Sequence, residues 1–290
     1  MGTATDFSGL WIPLVTPFRK GQVDTAAARA LVRHLAGTGI AGFVVCGSTG
    51  EAAALDEAEQ LALLDLVLEN AAGLPVVMGL SGYHLDETRR WAARLCERPV
   101  AGLLVPPPLY IRPSQAGVLH WYRSLADTAG APLIVYDIPY RTGTTINRDT
   151  LLQLATHPQI AAVKDCGGDA GKTLALLAQG QMQVLAGEDL QLFAAVAQGA
   201  VGAITASAHV GTPAFVRLLA QLQAGDLGAA RLLWQRLVPW IELAFAEPNP
   251  ALIKAALARE GHIRNELRPP MTRASATRVA QISASCAGLA

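Results

Sequence analysis

Lys164 stands where a solvated lysine does not belong. It interrupts the apolar run Ile160-Ala-Ala-Val-Lys-Asp-Cys166, which the turn signal His157-Pro158 precedes and the pair Gly167-Gly168 follows. Such a run reads as a buried strand, and desolvation disfavours the charged form of any amine at its end. A neutral amine is a nucleophile for carbonyl carbon and forms Schiff bases. For a single lysine, an edge-strand position facing water is the commoner arrangement. The company Lys164 keeps decides between the two.

Other polar groups also fall just after short apolar runs. Gly47-Ser-Thr-Gly-Glu51 sets two hydroxyls, Ser48 and Thr49, among glycines whose backbone N–H groups can hold a small carboxylate. Read alone it is equally a tight turn with hydroxyl caps, and with no lysine following it is not a phosphate-binding P-loop. Val105-Pro-Pro-Pro-Leu-Tyr-Ile-Arg-Pro113 is a proline-stiffened loop that fixes Tyr110, in a site, across a subunit contact or simply on the surface.

Tyr136-Asp-Ile-Pro-Tyr-Arg-Thr-Gly143 offers a tyrosine hydroxyl for proton transfer and, in Arg141, a bidentate fork for a carboxylate. Taken singly, Tyr136 reads as core and Arg141 as one half of a surface ion pair. Gly187-Glu-Asp189 and Thr205-Ala-Ser207 complete the series. Glu188 and Asp189 read first as caps of the next helix and second as acid–base groups. His209 has no companion at ligand spacing and reads as structural. A hydroxyl pair, a tyrosine, an arginine and a lysine at strand ends of one fold are what a Schiff-base enzyme acting on a 2-oxo acid requires.

The elements that must position these residues are legible as a repeat. Apolar runs occur at 11–15, 43–46, 76–78, 102–105, 133–136, 160–163, 183–186 and 202–205. They are continuous rather than alternating, as in parallel strands buried on both faces. Helical patterns with start signals lie between them. Asp56 with Glu59 forms a capping box ahead of Leu61, Leu64 and Leu68. Ser114 precedes Val118 and Trp121, and Asp149 precedes Leu151, Leu152 and Leu154. Thr212-Pro213 places a cap and an N1 proline before Phe215 and Leu218.

Eight strands alternating with helices predict an α/β fold, a (β/α)₈ TIM barrel first and a doubly wound sheet second. No GxGxxG follows the first strand, which weakens the dinucleotide-binding form of the second. In a barrel, chemistry gathers where strands end. Beyond Gln223 the strand signal stops; Gly225 to Glu247 reads as a helix, and prolines punctuate the rest. The expected organisation is a catalytic barrel over 1–223 and a C-terminal helical region over 224–290.

Composition narrows the functions open to the chain. Of 290 residues, 51% are hydrophobic and 16% charged, which suits a large core, and 23 basic residues balance 23 acidic ones. With no basic run, binding to nucleic acid or to an anionic membrane is not expected. Cys46, Cys96, Cys166 and Cys286 are scattered, without a CxxC pair or a histidine at metal spacing, and read as reduced thiols with no metal site. The first residues lack the features of a signal peptide, and no apolar stretch reaches membrane-spanning length. A cytoplasmic protein is expected.

The ordered pieces Thr16-Pro-Phe18, Gly47-Ser-Thr-Gly-Glu51, Tyr136-x-x-Pro-x-Arg-Thr-Gly143, Val163-Lys-Asp165, Gly202-Ala-Ile204 and Asn249-Pro250 span nearly the whole chain. In these the sequence resembles the dihydrodipicolinate synthase/N-acetylneuraminate lyase family of class I pyruvate-dependent aldolases. The resemblance implies that Lys164 forms an imine with pyruvate, with no other cofactor, while Ser48, Thr49 and backbone amides hold the pyruvate carboxylate. Tyr136 would move protons in a relay with Ser48 and with Tyr110 from a neighbouring subunit. Gly187 and Ile204 would join Thr49 and Arg141 in binding substrate, and a homotetramer built from dimers would be the assembly.

Arg141-Thr-Gly143 resembles the synthase branch, in which the arginine binds the carboxylate of aspartate semialdehyde on the way to lysine. Ser48 where synthases carry threonine, Asp137 where they carry asparagine and Leu109 where they carry tyrosine depart from that pattern. They fit equally a paralogue acting on a sugar-derived or aromatic 2-oxo acid; a pyruvate-binding barrel without turnover is the third reading. Positions matching the family's lysine-inhibition site hold Ala52, Glu57, Gln60 and Tyr83, which implies insensitivity to lysine.

Overall fold

The computed structural model describes residues 5–289. All eight apolar runs form strands: β1 (Gly9–Pro13), β2 (Gly42–Val45), β3 (Val76–Gly79), β4 (Gly102–Val105), β5 (Leu133–Asp137), β6 (Ile160–Asp165), β7 (Gln183–Ala186) and β8 (Gly202–Ile204). They are parallel, and their hydrogen-bonded order, β1-β8-β7-β6-β5-β4-β3-β2, closes into a barrel surrounded by helices. The TIM-barrel reading is met and the doubly wound sheet is not. β2, β3 and β4 are buried at every residue, which is why their sequences run apolar without alternation.

The chain divides into two compact units. One holds Val76–Ile204 with the N-terminal segment to Ser8; the other holds Gly9–Pro75 with Thr205–Ala290. In the first, the fully buried Phe7 rests on Gly102, where a Cβ would approach the Phe7 ring to 3.1 Å. The Phe7 backbone N–H donates to the Gln183 side chain at 2.8 Å. In the second, the Trp11 ring of β1 covers Gly42 of β2 so closely that no side chain fits there. A hairpin (Phe18–Arg19 with Gln22–Val23) follows β1, and helices Leu227–Ala244, Ala251–Arg259 and Ala276–Ser285 end the chain.

Two helix starts are as the sequence reads. Asp56 accepts from the Glu59 N–H at 2.8 Å while Glu59 accepts from the Asp56 N–H at 3.2 Å. Ser114 accepts from the Gly117 N–H at 3.3 Å. Three starts differ. Helix Arg148–Leu154 begins one residue before Asp149, and a neighbouring side chain serves its start. The Gln115 carbonyl accepts from the Asn147 N–H at 2.9 Å and from the Thr150 hydroxyl at 2.7 Å. Gly211, at φ 64°, takes the cap position expected of Thr212, whose hydroxyl instead donates to the Ala208 carbonyl at 2.7 Å. The helix expected from Gly225 to Glu247 is shorter, capped by Asp226 and ended at Ala244.

His209 is structural, as its isolation implies. Its Nδ1 donates to the Ala206 carbonyl at 2.8 Å, so Nε2 is the acceptor for the Val15 N–H at 3.2 Å. One neutral ring thus ties the chain just past β1 to the turn after β8. Burial holds its pKa down to about 4. Between that value and an ordinary histidine pKa the unfolded chain binds the extra proton, so stability falls as pH drops from about 6.5 to about 4. The full loss is on the order of 3 kcal/mol. Urea titrations of the wild type and His209→Gln from pH 7 to pH 4.5 should show a shallower acid loss in the variant, although it starts less stable.

Candidate active site

Two neighbouring strands present Tyr136 and Lys164 together. β5 and β6 run in register with Tyr136 opposite Lys164 and Asp137 opposite Asp165. Side chains alternate along a strand, so Tyr136 and Lys164 share one face and the two aspartates the other. Lys164 is 5% exposed. Its Nζ donates to the Tyr136 hydroxyl at 3.4 Å and sits 4.4 Å from the centre of that ring. Among the described residues no carboxylate lies within ion-pair distance of Nζ. The buried-strand reading is met, and the edge-strand one is not.

The back face of the same strand ends is a polar clamp. Asp137 and Lys172 form an ion pair at 2.6 Å with both side chains almost fully buried. Lys172 also donates to the Ile146 carbonyl at 3.1 Å. Asp165 accepts from the Thr173 hydroxyl at 2.5 Å and from the Gly167 N–H at 2.9 Å. Burial pushes the Asp137 carboxyl up, against the pull of Lys172. Helix Ala170–Gln179, which carries Lys172 and Thr173, is thereby pinned to the residues directly following Tyr136 and Lys164. Gly167 is required there: a Cβ would fall 2.5 Å from Asp137 Oδ2 and 2.8 Å from Lys172 Nζ.

Gly187 follows β7 and lies against Lys164, where an added Cβ would meet Lys164 Cγ at 2.7 Å and Cys166 Sγ at 2.6 Å. Burial pushes the Cys166 thiol up to about 12, so it stays protonated beside the amine. Glu188 makes no side-chain cap to the turn Asp189–Gln191, contrary to the capping expectation. Its half-buried carboxyl is instead raised by desolvation, with the positive charges of Lys164 and Arg141 opposing. Ile204, at the end of β8, is fully buried.

Arg141 lies on the short helix Pro139–Thr142, its guanidinium 5.9 Å from the Tyr140 ring. Among the described residues no carboxylate pairs with it, so the surface ion-pair reading is not met. It borders a cavity of about 670 Å³ shared with Tyr110, Arg112 and Tyr140. Tyr110 is 94% exposed, and both it (φ 72°) and Arg112 (φ 52°) hold left-handed backbone. That conformation is unfavourable for residues bearing a Cβ and persists only where the surroundings impose it.

In the other unit, Gly47–Glu51 is a tight turn, with Gly50 N–H donating to the Gly47 carbonyl at 3.0 Å. Thr49 is buried and accepts from Asn249 Nδ2 at 2.9 Å, while Ser48 is partly exposed. Thr16 of the Thr-Pro-Phe piece donates to the Gly50 carbonyl at 2.7 Å. Glu51 pairs with Lys254 at 2.6 Å, both side chains at most 2% exposed.

Sequence reasoning passed over Lys172 and Lys254, and met Asn249 only as part of a motif. A signal for two of them was present: only four of the 23 basic residues are lysine (Lys20, Lys164, Lys172, Lys254), and three of those four are buried. No cluster of three or more histidine, cysteine, aspartate or glutamate residues able to hold a metal occurs among the described residues. No helix there is long and apolar enough to cross a membrane.

Comparison with known proteins agrees with this geometry. A model of the dihydrodipicolinate synthetase family matches residues 6–287. The 4-hydroxy-tetrahydrodipicolinate synthase of Stenotrophomonas maltophilia is 39% identical, over 93% of this chain and 92% of its own. The crystal structure of dihydrodipicolinate synthase from Thermotoga maritima superposes with a TM-score of 0.94 at 28% identity, covering 98% of this chain and 99% of that one. The enzyme from Cyanidioschyzon merolae, solved with lysine bound, gives 0.94 at 27% identity over 98% of both chains.

The clamp behind Tyr136 and Lys164 has a measurable worth. Lys172→Met leaves the Asp137 carboxylate buried and unpaired, a loss of about 3–5 kcal/mol in unfolding free energy. Asp137→Asn in the same chain removes the stranded charge and should restore much of that loss in a urea titration.

Proposed function

Because the chain belongs to the dihydrodipicolinate synthetase family, we propose that it is a 4-hydroxy-tetrahydrodipicolinate synthase, joining pyruvate to L-aspartate semialdehyde through an imine on Lys164. The observation that carries this reading is a buried lysine with no carboxylate partner among the described residues, its nitrogen 3.4 Å from a tyrosine hydroxyl. A lysine committed to an ion pair cannot attack a carbonyl; this one faces a group that can take and return a proton.

In the proposed course, the Lys164 amine adds to C2 of pyruvate and water leaves, with Tyr136 passing the protons. Loss of a methyl proton from the imine gives the enamine, whose carbon attacks the aldehyde of the second substrate. The amino group of that substrate then displaces Lys164 from C2, closing the ring and freeing the enzyme. No cofactor beyond the imine takes part. Ser48 and Thr49 hold the pyruvate carboxylate and Arg141 the carboxylate of the semialdehyde, for which an unpaired guanidinium is suited. Gly187 and Ile204 line the bound substrates.

Tyr110 completes the proton relay from a second copy in a homotetramer of paired dimers. Its near-complete exposure in a single chain, beside the exposed Ile111 and Tyr140, supports that assignment. The reaction belongs to a cytoplasmic biosynthetic route to lysine.

Borohydride added with pyruvate should fix a stable adduct on Lys164, absent in Lys164→Ala. A coupled assay with both substrates should show turnover that Lys164→Ala abolishes and Tyr136→Phe lowers by roughly 10²- to 10⁴-fold. An adduct with background turnover would direct the reading to a paralogous aldolase or dehydratase with a sugar-derived or aromatic substrate. An adduct with no turnover over a broad aldehyde panel would leave a pyruvate-binding barrel.

Regulation by lysine is not expected. Gln60, at one of the positions that would contact it, spends its amide on the Ala52 and Leu55 carbonyls at 3.4 and 3.2 Å. Initial rates should be unchanged by millimolar lysine, and strong inhibition would overturn this.

A further inference from the structure

Thr49 is buried, and its hydroxyl meets one described partner, the side-chain amide of Asn249 at 2.9 Å, from a residue 200 positions away. The direction of that bond matters. A threonine hydroxyl has one proton to give and lone pairs to receive. Asn249 Nδ2 can only donate, so it occupies the receiving side of Oγ1 and leaves the Thr49 proton to be given elsewhere. A carboxylate is an acceptor and nothing else. A threonine held in this way is set to donate to one.

Asn249 is not what keeps the loop folded. Both borders of Gly47–Glu51 sit in left-handed backbone, Cys46 at φ 53° and Glu51 at φ 54°, and Glu51 is fixed by other groups. Lys254 Nζ meets Glu51 Oε1 at 2.6 Å, and the Arg268 N–H donates to Oε2 at 3.1 Å. Thr16 holds the Gly50 carbonyl at 2.7 Å. The anchoring of the loop and the orientation of its hydroxyl are therefore carried by different residues. Asn249 is free to serve the second alone.

We infer that Asn249 is a positioning residue for pyruvate binding: its amide fixes the Thr49 hydroxyl as a hydrogen-bond donor to the substrate carboxylate. The inference rests on the reading that Thr49 binds pyruvate. It distinguishes asparagine from its isostere. Aspartate at 249 would fill the same space but accept rather than donate, drawing the Thr49 proton away from the substrate. Alanine would leave the hydroxyl free to rotate. Orientation thus orders the variants with Asn249→Asp worse than Asn249→Ala, whereas a space-filling role gives the reverse order.

The test measures the pyruvate concentration that half-saturates borohydride trapping, together with KM and kcat and the thermal midpoint of each variant. Asn249→Asp should raise the half-saturating pyruvate by roughly ten- to a hundredfold, the worth of a hydrogen bond to a charged group. Asn249→Ala should raise it less, with kcat at saturating pyruvate nearly kept. The Asn249→Asp defect should shrink as pH falls and the introduced carboxyl regains a proton to donate. In a Thr49→Val background neither substitution should add to the loss.

Asn249→Asp equal to or milder than Asn249→Ala, an effect that persists in Thr49→Val, or a changed thermal midpoint with unchanged pyruvate saturation would overturn the inference. If wild-type protein gives no pyruvate adduct, the functional reading falls and this inference with it. If the adduct forms but the variants saturate like wild type, the inference alone falls.

Discussion

Burying an ammonium group is the constraint around which this chain is arranged, and it does so three times with four lysines. An isolated charge in a protein interior costs several kcal/mol, so each buried lysine must be answered. Lys172 is answered by Asp137 and Lys254 by Glu51, both at 2.6 Å. Lys164 meets the hydroxyl and ring face of Tyr136. The first two arrangements are static, because separating either pair strands a carboxylate. The third leaves a nitrogen without a counter-charge among the described residues, which is the arrangement the proposed chemistry needs.

Each static pair lies next to a residue of the proposed site. Asp137 follows Tyr136 on β5, and strand alternation turns it to the opposite face, where Lys172 waits on helix Ala170–Gln179. Fixing Asp137 from behind limits the rotation of the strand end that aims Tyr136. Glu51 stands two residues beyond Thr49 and closes a loop whose two borders have unfavourable backbone. A network of Lys254, Arg268 and Glu59 holds it there. In both units a buried ion pair is placed one or two residues from a group of the proposed site.

What could be read from the sequence was whatever depends on neighbours along the chain. Continuous apolar runs located all eight strands, and Asp56 with Glu59 marked a helix start, because both signals are local. Asp149 and Thr212 failed as caps for a tertiary reason. Gln115 from another helix had taken the first role, and Gly211 could adopt left-handed backbone at little cost for the second. Asn249 was noticed only as part of a motif, since its partner Thr49 lies 200 residues away. Glu188 looked like a cap because acidic residues before helices usually are; its position in the field of Lys164 and Arg141 follows from strand order, which no local pattern encodes.

The choice of lysine at the three buried positions follows from what arginine could not do there. Arginine keeps its proton under these conditions, so only a lysine suits the imine proposed at Lys164. At Lys172 the limit is room. The ammonium reaches both the Asp137 carboxylate and the Ile146 carbonyl inside a space closed by Gly167, where even one methyl group would come within 2.8 Å of the nitrogen. A planar five-donor guanidinium is bulkier than the ammonium it would replace there. At Lys254 the nitrogen sits 4.3 Å from the centre of the Phe18 ring while bonded to Glu51, and Arg268 takes the outer approach to the same ring at 4.7 Å. The compact cation goes inside and the forked one to the rim, where its remaining donors reach Glu59 and the Ala54 carbonyl. In a chain whose basic residues are overwhelmingly arginine, three of the four lysines fill small, dry spaces, and one of those three has no carboxylate partner among the described residues.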